Sequence, residues 1–170
     1  MPEREFELLK TAEEIAAFVL ENLKKLERTI ALAESCTAGL ISNLLANTAG
    51  ASEVLWGSFV CYTKEAKISM LGISEDLLKT HGLVSEETAL LMAKAALEKS
   101  GADIGASVTG LTGPLGDGSS VPVGTVWTAI ALKNGETKAR EFHFTGSRNE
   151  NRLHAAITVL KNIKDVLTQV

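Results

Sequence analysis

The chain alternates, almost without interruption, between short apolar runs that end at a turn and longer runs with apolar residues every three or four positions. Apolar strands separated by amphipathic helices bury both kinds of surface only when helices cover a sheet on both faces. Residues Glu5 to Leu26 spell a first helix, with Phe6, Leu9, Ile15, Phe18, Val19, Leu23 and Leu26 on one apolar stripe. Thr29 to Ala33 reads as a buried strand, Gly39 to Ala46 as a helical pattern, and Val54 to Tyr62 as a second strand, with Thr63 to Lys67 opening a short helix. A helix over Glu75 to Thr80 closes at Gly82, and Ser85 caps a longer one to Lys99 with Glu86 and Glu87 in its first turn. Asp103 to Thr109 supplies a third strand. Gly124 to Leu132 and Thr137 to Phe144 supply two more, joined through Asn134-Gly135, a hairpin signal that makes the pair antiparallel. Gly146 to Leu167 ends the pattern as a helix with Leu153, Ala156, Ile157, Leu160, Ile163 and Leu167 at core spacing. This order predicts an α/β fold with helices on both faces of a mixed, mostly parallel sheet that includes one antiparallel hairpin.

Length and charge narrow the functions open to such a fold. At 170 residues and 45% hydrophobic, residues 1–170 suit a single domain. The net charge of −4 comes with scattered Lys and Arg, so no footprint for nucleic acid is visible. No apolar stretch approaches the roughly 20 residues of a membrane span, and Met1 to Lys10 is charged, unlike a signal peptide. A cytoplasmic location is expected. Cys36 and Cys61 fit a reducing compartment and lack paired C-x-x-C spacing, while His81, His143 and His154 show no ligand spacing. No metal and no cofactor are expected; the expected partner is a small-molecule substrate, with a homo-oligomer as the assembly.

In open α/β sheets, ligands bind beyond the carboxyl ends of parallel strands. Three loops qualify, carrying Ser35-Cys36-Thr37, Tyr62 to Lys67, and Thr109 to Ser120. The first helix after a strand is expected to start at or just after Ser35, where free N–H groups and the dipole would favour an oxyanion. The plainer role for Ser35 or Thr37 is a helix cap. A serine hydroxyl needs a base, and Lys67 can be one only when neutral, so burial or nearby cations must lower its pKa. Tyr62 is placed to relay a proton or orient that amine. Their plainer roles are a solvated helix lysine and a strand-end aromatic. Cys36 is a rival nucleophile near the same turn, or else a small core residue. The stretch Gly110 to Ser120 is neither a Walker motif nor a dinucleotide fingerprint, and reads as a surface turn or a binding loop. Arg148 and Arg152 lie i, i+4 at the start of the last helix, where cations oppose the dipole but could grip a phosphate.

Taken together, several of these motifs resemble the family of the C-terminal domain of competence/damage-inducible protein CinA, which includes stand-alone nicotinamide-nucleotide amidases. The resemblance rests on Ala33-Glu34-Ser35-Cys36-Thr37, Tyr62 with Glu65-Ala66-Lys67, Gly82 through Ser85-Glu86, Thr109-Gly110-Leu111 with Gly113-Pro114, Pro122 to Val126, and Gly146 with Arg148 and Arg152. It implies a three-layer α/β/α sandwich and conversion of nicotinamide mononucleotide to nicotinic acid mononucleotide and ammonia. By the same resemblance, Ser35, Tyr62 and Lys67 are the catalytic set. N–H groups near Cys36 and Thr37 are expected to face the oxyanion, with Thr109, Gly110, Gly113, Arg148 and Arg152 holding the substrate. The alternatives are another amide substrate, or a non-catalytic module that binds a pyridine nucleotide, a phosphate ligand or a protein. Two positions depart from the family pattern. Ala38 replaces the first of two glycines after Cys-Thr, and Gly110-Leu111-Thr112-Gly113-Pro114 replaces Gly-Ile-Ala-Gly-Pro, followed by an altered Leu115 to Ser120 segment. An alanine at position 38 is strained only if its φ must be positive.

Overall fold

The computed structural model describes residues 2–169, so Met1 and Val170 of the expected domain 1–170 lie outside the described residues. The apolar runs become five strands, β1 (Ile30–Glu34), β2 (Leu55–Val60), β3 (Ile104–Gly110), β4 (Thr125–Leu132) and β5 (Thr137–His143). They form one sheet in the order β2-β1-β3-β4-β5. β1 pairs in parallel with β2 and β3, and β4 runs antiparallel to both β3 and β5. The helices are α1 (Glu3–Lys25), α2 (Leu40–Ala46), α3 (Lys64–Leu71), α4 (Glu75–His81), α5 (Glu86–Ser100) and α6 (Arg148–Thr168). This is the α/β fold with a mixed five-stranded sheet that the element order predicts.

Two layers of helix follow from where the chain goes after β1. It moves to one side to make β2 and then recrosses β1 to make β3, and right-handed crossovers in opposite directions put their helices on opposite faces. Alternation along β1 serves both layers. Ile30 and Leu32 join the core under α1, α2 and α6, while Ala31 and Ala33 join the core under α3, α4 and α5. α5 lies unusually close to the sheet. A Cβ on Gly105 would sit 2.2 Å from the Ala93 carbonyl oxygen, and Ser107 Oγ donates to the Ala89 carbonyl at 2.6 Å.

Two expectations need correction. The buried residues of α1 are Ala12, Ala16, Val19, Leu20 and Leu23, whereas Phe6 is 61% exposed and Phe18 and Leu26 lie at the surface. Phe18 instead lies beneath the Lys164 ammonium, 4.5 Å from its ring centroid. A stripe chosen by side-chain size misses this, because the close packing of α1 against α6 favours alanine. The second correction concerns α2, which begins at Leu40 and not at Ser35. Ala38 and Gly39 have φ of 53° and 90°, and two left-handed residues in succession cannot continue a right-handed helix. Ser35 to Gly39 is therefore a free-standing turn between β1 and α2.

Candidate active site

The carboxyl ends of β1, β2 and β3 meet at the point where the strand order reverses, and a cleft of about 240 Å³ opens there. Ser35, Cys36, Tyr62, Lys67, Thr109 and Arg148 are among the residues that line it. A second cavity of about 290 Å³ lies between β5 and the end of α6, where Arg140 donates to Asn162 and Asp165.

Ser35 follows β1 and is held there by its own N–H, which donates to the Val108 carbonyl of β3 at 3.0 Å. Lys67 enters from the first turn of α3, whose start is fixed by the Thr63 side chain accepting from Ala66 N–H. The lysine is 1% exposed, with Nζ 2.9 Å from Ser35 Oγ and 3.0 Å from the Cys61 carbonyl oxygen. Burial pushes its pKa down, and no carboxylate opposes that shift. Nζ donates to both oxygens; on losing a proton it would keep its donor on the Cys61 carbonyl and turn its lone pair toward the Ser35 hydroxyl. That is the geometry of a general base on its nucleophile. Cys36 lies beside them as a thiol, because burial pushes its pKa up to about 12. Its position as a rival nucleophile is weakened accordingly.

Glu34, the last residue of β1, is the residue that motif reading passed over. It is fully buried, and its carboxylate accepts from Thr37 Oγ1 at 2.8 Å, Ile41 N–H at 3.0 Å, Ser42 N–H at 2.9 Å and Ser58 Oγ at 3.1 Å. These bonds tie β1, the turn, the start of α2 and β2 into one unit. The available signal was an acidic residue ending an otherwise apolar buried strand, a placement that requires partners.

Tyr62 lies past the end of β2 and is half exposed at the cleft mouth. Its hydroxyl accepts from an Arg148 terminal nitrogen at 2.7 Å, and the other terminal nitrogen of Arg148 donates to the Gly113 carbonyl. Arg148 thus joins the tyrosine to the glycine loop. Asn151 fastens the same loop to α6, donating to the Thr112 and Gly146 carbonyls while accepting from Gly146 N–H. Arg152 does something else. It is not among the residues lining the cleft, and its Nε and one terminal nitrogen donate to the carbonyls of Cys36 and Thr37 at 3.3 and 2.8 Å. Thr109 lines the cleft, but its hydroxyl is given to the Leu83 carbonyl at 2.8 Å. Gly110 has a packing reason to be glycine, since a Cβ would meet the Thr125 carbonyl oxygen and Val126 Cγ2, each at 2.7 Å. Among the described residues, no group of three or more His, Cys, Asp or Glu side chains could hold a metal ion, and no helix is long and apolar enough to cross a membrane.

The family model for the CinA C-terminal domain matches residues 12–167. A CinA-like protein of Thermotoga maritima is 41% identical over 155 residues, covering 91% of this chain but 38% of the relative. One from Kosmotoga olearia is 38% identical over 155 residues, covering 91% and 37%. The chain thus spans well under half the length of these relatives. Among solved structures, the competence/damage inducible protein CihA from Agrobacterium tumefaciens superposes with a TM-score of 0.88 at 39% identity, covering 94% of this chain and 96% of that one. A CinA superfamily protein from Klebsiella pneumoniae gives 0.89 at 27% identity, covering 94% and 99%. With sequence and fold in agreement over nearly its whole length, the chain belongs to the CinA C-terminal domain family.

Proposed function

We propose that the chain is an amidohydrolase of pyridine nucleotide salvage, converting nicotinamide mononucleotide and water to nicotinic acid mononucleotide and ammonia. The observation that carries this reading is the buried Lys67 Nζ, 2.9 Å from Ser35 Oγ and with its pKa lowered by burial. A protein has little reason to bury a lysine with no carboxylate partner unless its neutral form is used.

The chemistry follows from that pair. Lys67 takes the hydroxyl proton as Ser35 Oγ bonds to the carboxamide carbon, and the carbonyl electron pair moves onto oxygen. The N–H groups of Cys36 and Thr37 are the donors for that oxyanion; no oxygen among the described residues accepts from either. As the intermediate collapses, the C–N bond breaks, and the nitrogen takes the proton from Lys67 and leaves as ammonia. Water then attacks the acyl-serine, gives its proton to Lys67, and releases the acid as Ser35 regains its hydrogen. Tyr62, held at the mouth by Arg148, assists these transfers, and Arg148 and the glycine loop receive the ribose phosphate.

An ammonia-release assay over nicotinamide mononucleotide, nicotinamide riboside, NAD and nicotinamide tests the reading. Release is expected from the mononucleotide, and Ser35→Ala is expected to lower it by more than about 10³-fold. Unchanged turnover in Ser35→Ala with loss in Cys36→Ala would move the nucleophile to the thiol. Tight mononucleotide binding without ammonia release would make the domain a binding module.

A further inference from the structure

The turn that carries Ser35 is gripped from behind by an arginine 115 residues or more away in sequence. The effect of that grip can be read from peptide geometry. Every described peptide bond other than Gly113–Pro114 is trans, and in a trans peptide the C=O and the following N–H point in opposite directions. The Cys36 carbonyl points at Arg152 Nε, so the Thr37 N–H of the same peptide points away from Arg152. The Thr37 carbonyl points at an Arg152 terminal nitrogen, and the Ala38 N–H of that peptide is turned back onto the Ser35 carbonyl at 3.0 Å. The Ser35 carbonyl being so occupied, the Cys36 N–H of its peptide is directed oppositely as well. All three peptides from Ser35 to Ala38 are therefore oriented, and the N–H groups of Cys36 and Thr37 are left without an oxygen partner.

We infer that Arg152 is a positioning residue that sets the oxyanion-binding orientation of the Cys36–Thr37 peptide, and is not a substrate-phosphate ligand. This rests on the proposed serine mechanism but not on the identity of the substrate. Glu34 supports the same turn through Thr37 Oγ1. Without the guanidinium, the left-handed Ala38 and Gly39 leave the turn free to rotate the Cys36–Thr37 peptide, exchanging its N–H for its carbonyl. A carbonyl facing the oxyanion would repel it. Two nitrogens in one plane are needed to hold two successive carbonyls, a geometry the single ammonium of lysine does not offer.

The test uses Arg152→Ala and Arg152→Lys, with folding checked by thermal melting and two readouts. The first is turnover of nicotinamide mononucleotide. The second is the rate at which an alkyl fluorophosphonate labels Ser35: Oγ bonds to phosphorus, the P–F bond breaks, fluoride leaves, and the hydroxyl proton goes to Lys67. The phosphoryl oxygen uses the same N–H donors whatever the natural substrate. Both folded variants are expected to lose about 10²-fold in kcat and in labelling rate, with KM within about twofold of wild type. A wild type that releases no ammonia yet is labelled at Ser35, with slower labelling in the variants, would sink the substrate assignment and support the positioning role. A rise in KM at unchanged kcat, unchanged labelling, a wild-type serine inert to the probe, or loss of the folded state in both variants would each overturn it.

Discussion

At the scale of the residue, Lys67 couples activity to pH. Its folded pKa lies below the ordinary lysine value because burial disfavours the ammonium, so the base is available only once pH exceeds that lowered value. The kcat/KM of nicotinamide mononucleotide hydrolysis is therefore expected to rise along an acidic limb set by Lys67, and a pH–rate profile reads it. Stability moves the same way. The unfolded chain holds a proton that the folded chain releases, so the burden of the buried amine is full below the folded pKa and relieved as pH climbs toward 10.5. Lys67→Met is expected to abolish turnover without loss of stability at pH 7, and its advantage over wild type in urea unfolding should shrink as pH rises. Ala38 makes the opposite case, an unfavourable residue kept at the exposed position of a largely buried turn. At φ 53° its Cβ crowds the backbone, so Ala38→Gly is expected to raise stability by up to about 1 kcal/mol in the same urea assay. Turnover should be retained, since Arg152 and Glu34 still hold the turn.

At the scale of the element, the site depends on how closely α5 and α6 approach the sheet. α5 carries Ala89, Ala93 and Ala96 toward β1, β3 and β4, and Gly105 lets its backbone come into contact. Gly105→Ala forces the helix away from the Ala93 carbonyl and is expected to cost more than about 2 kcal/mol by chemical denaturation. The loop before α5 would move with it, because Thr109 anchors the Leu83 carbonyl there. α6 begins with a capping box between Ser147 and Glu150, which sets the register that aims Arg148 at Tyr62 and Arg152 at the turn. The i, i+4 spacing of the two arginines was legible in the sequence, but their division of labour was not. Residues four apart share a helix face, yet about one turn of α6 separates the cleft mouth from the back of the turn.

For the whole molecule, strand order decides what the site contains. β1 sits between β2 and β3, so the ends of three sequence segments converge, and Ser35 meets a lysine 32 residues away. The bond from Arg152 to Cys36 spans 116 residues. The alternation of apolar runs, the Asn134-Gly135 hairpin, the cap at Ser85 and the stop at Gly82 were all readable, because each depends on neighbours within a turn or two. The inner face of α1 was misread because burial there follows helix-to-helix distance, and Phe6 and Phe18 were left outside. The start of α2 was misread because apolar spacing continues through a turn whose φ values stop the helix.

By itself the sequence determined the layered α/β architecture and the three loops that could carry chemistry, since periodicity and turn residues act over short range. Its motifs pointed to Ser35, Tyr62 and Lys67 by resemblance. Only the tertiary structure decided that Lys67 is buried without a carboxylate, that Cys36 stays a thiol, and that Glu34 and Arg152 both hold the serine turn. Desolvation and peptide orientation belong to the packed surroundings of a group, and those surroundings come from segments far apart along the chain.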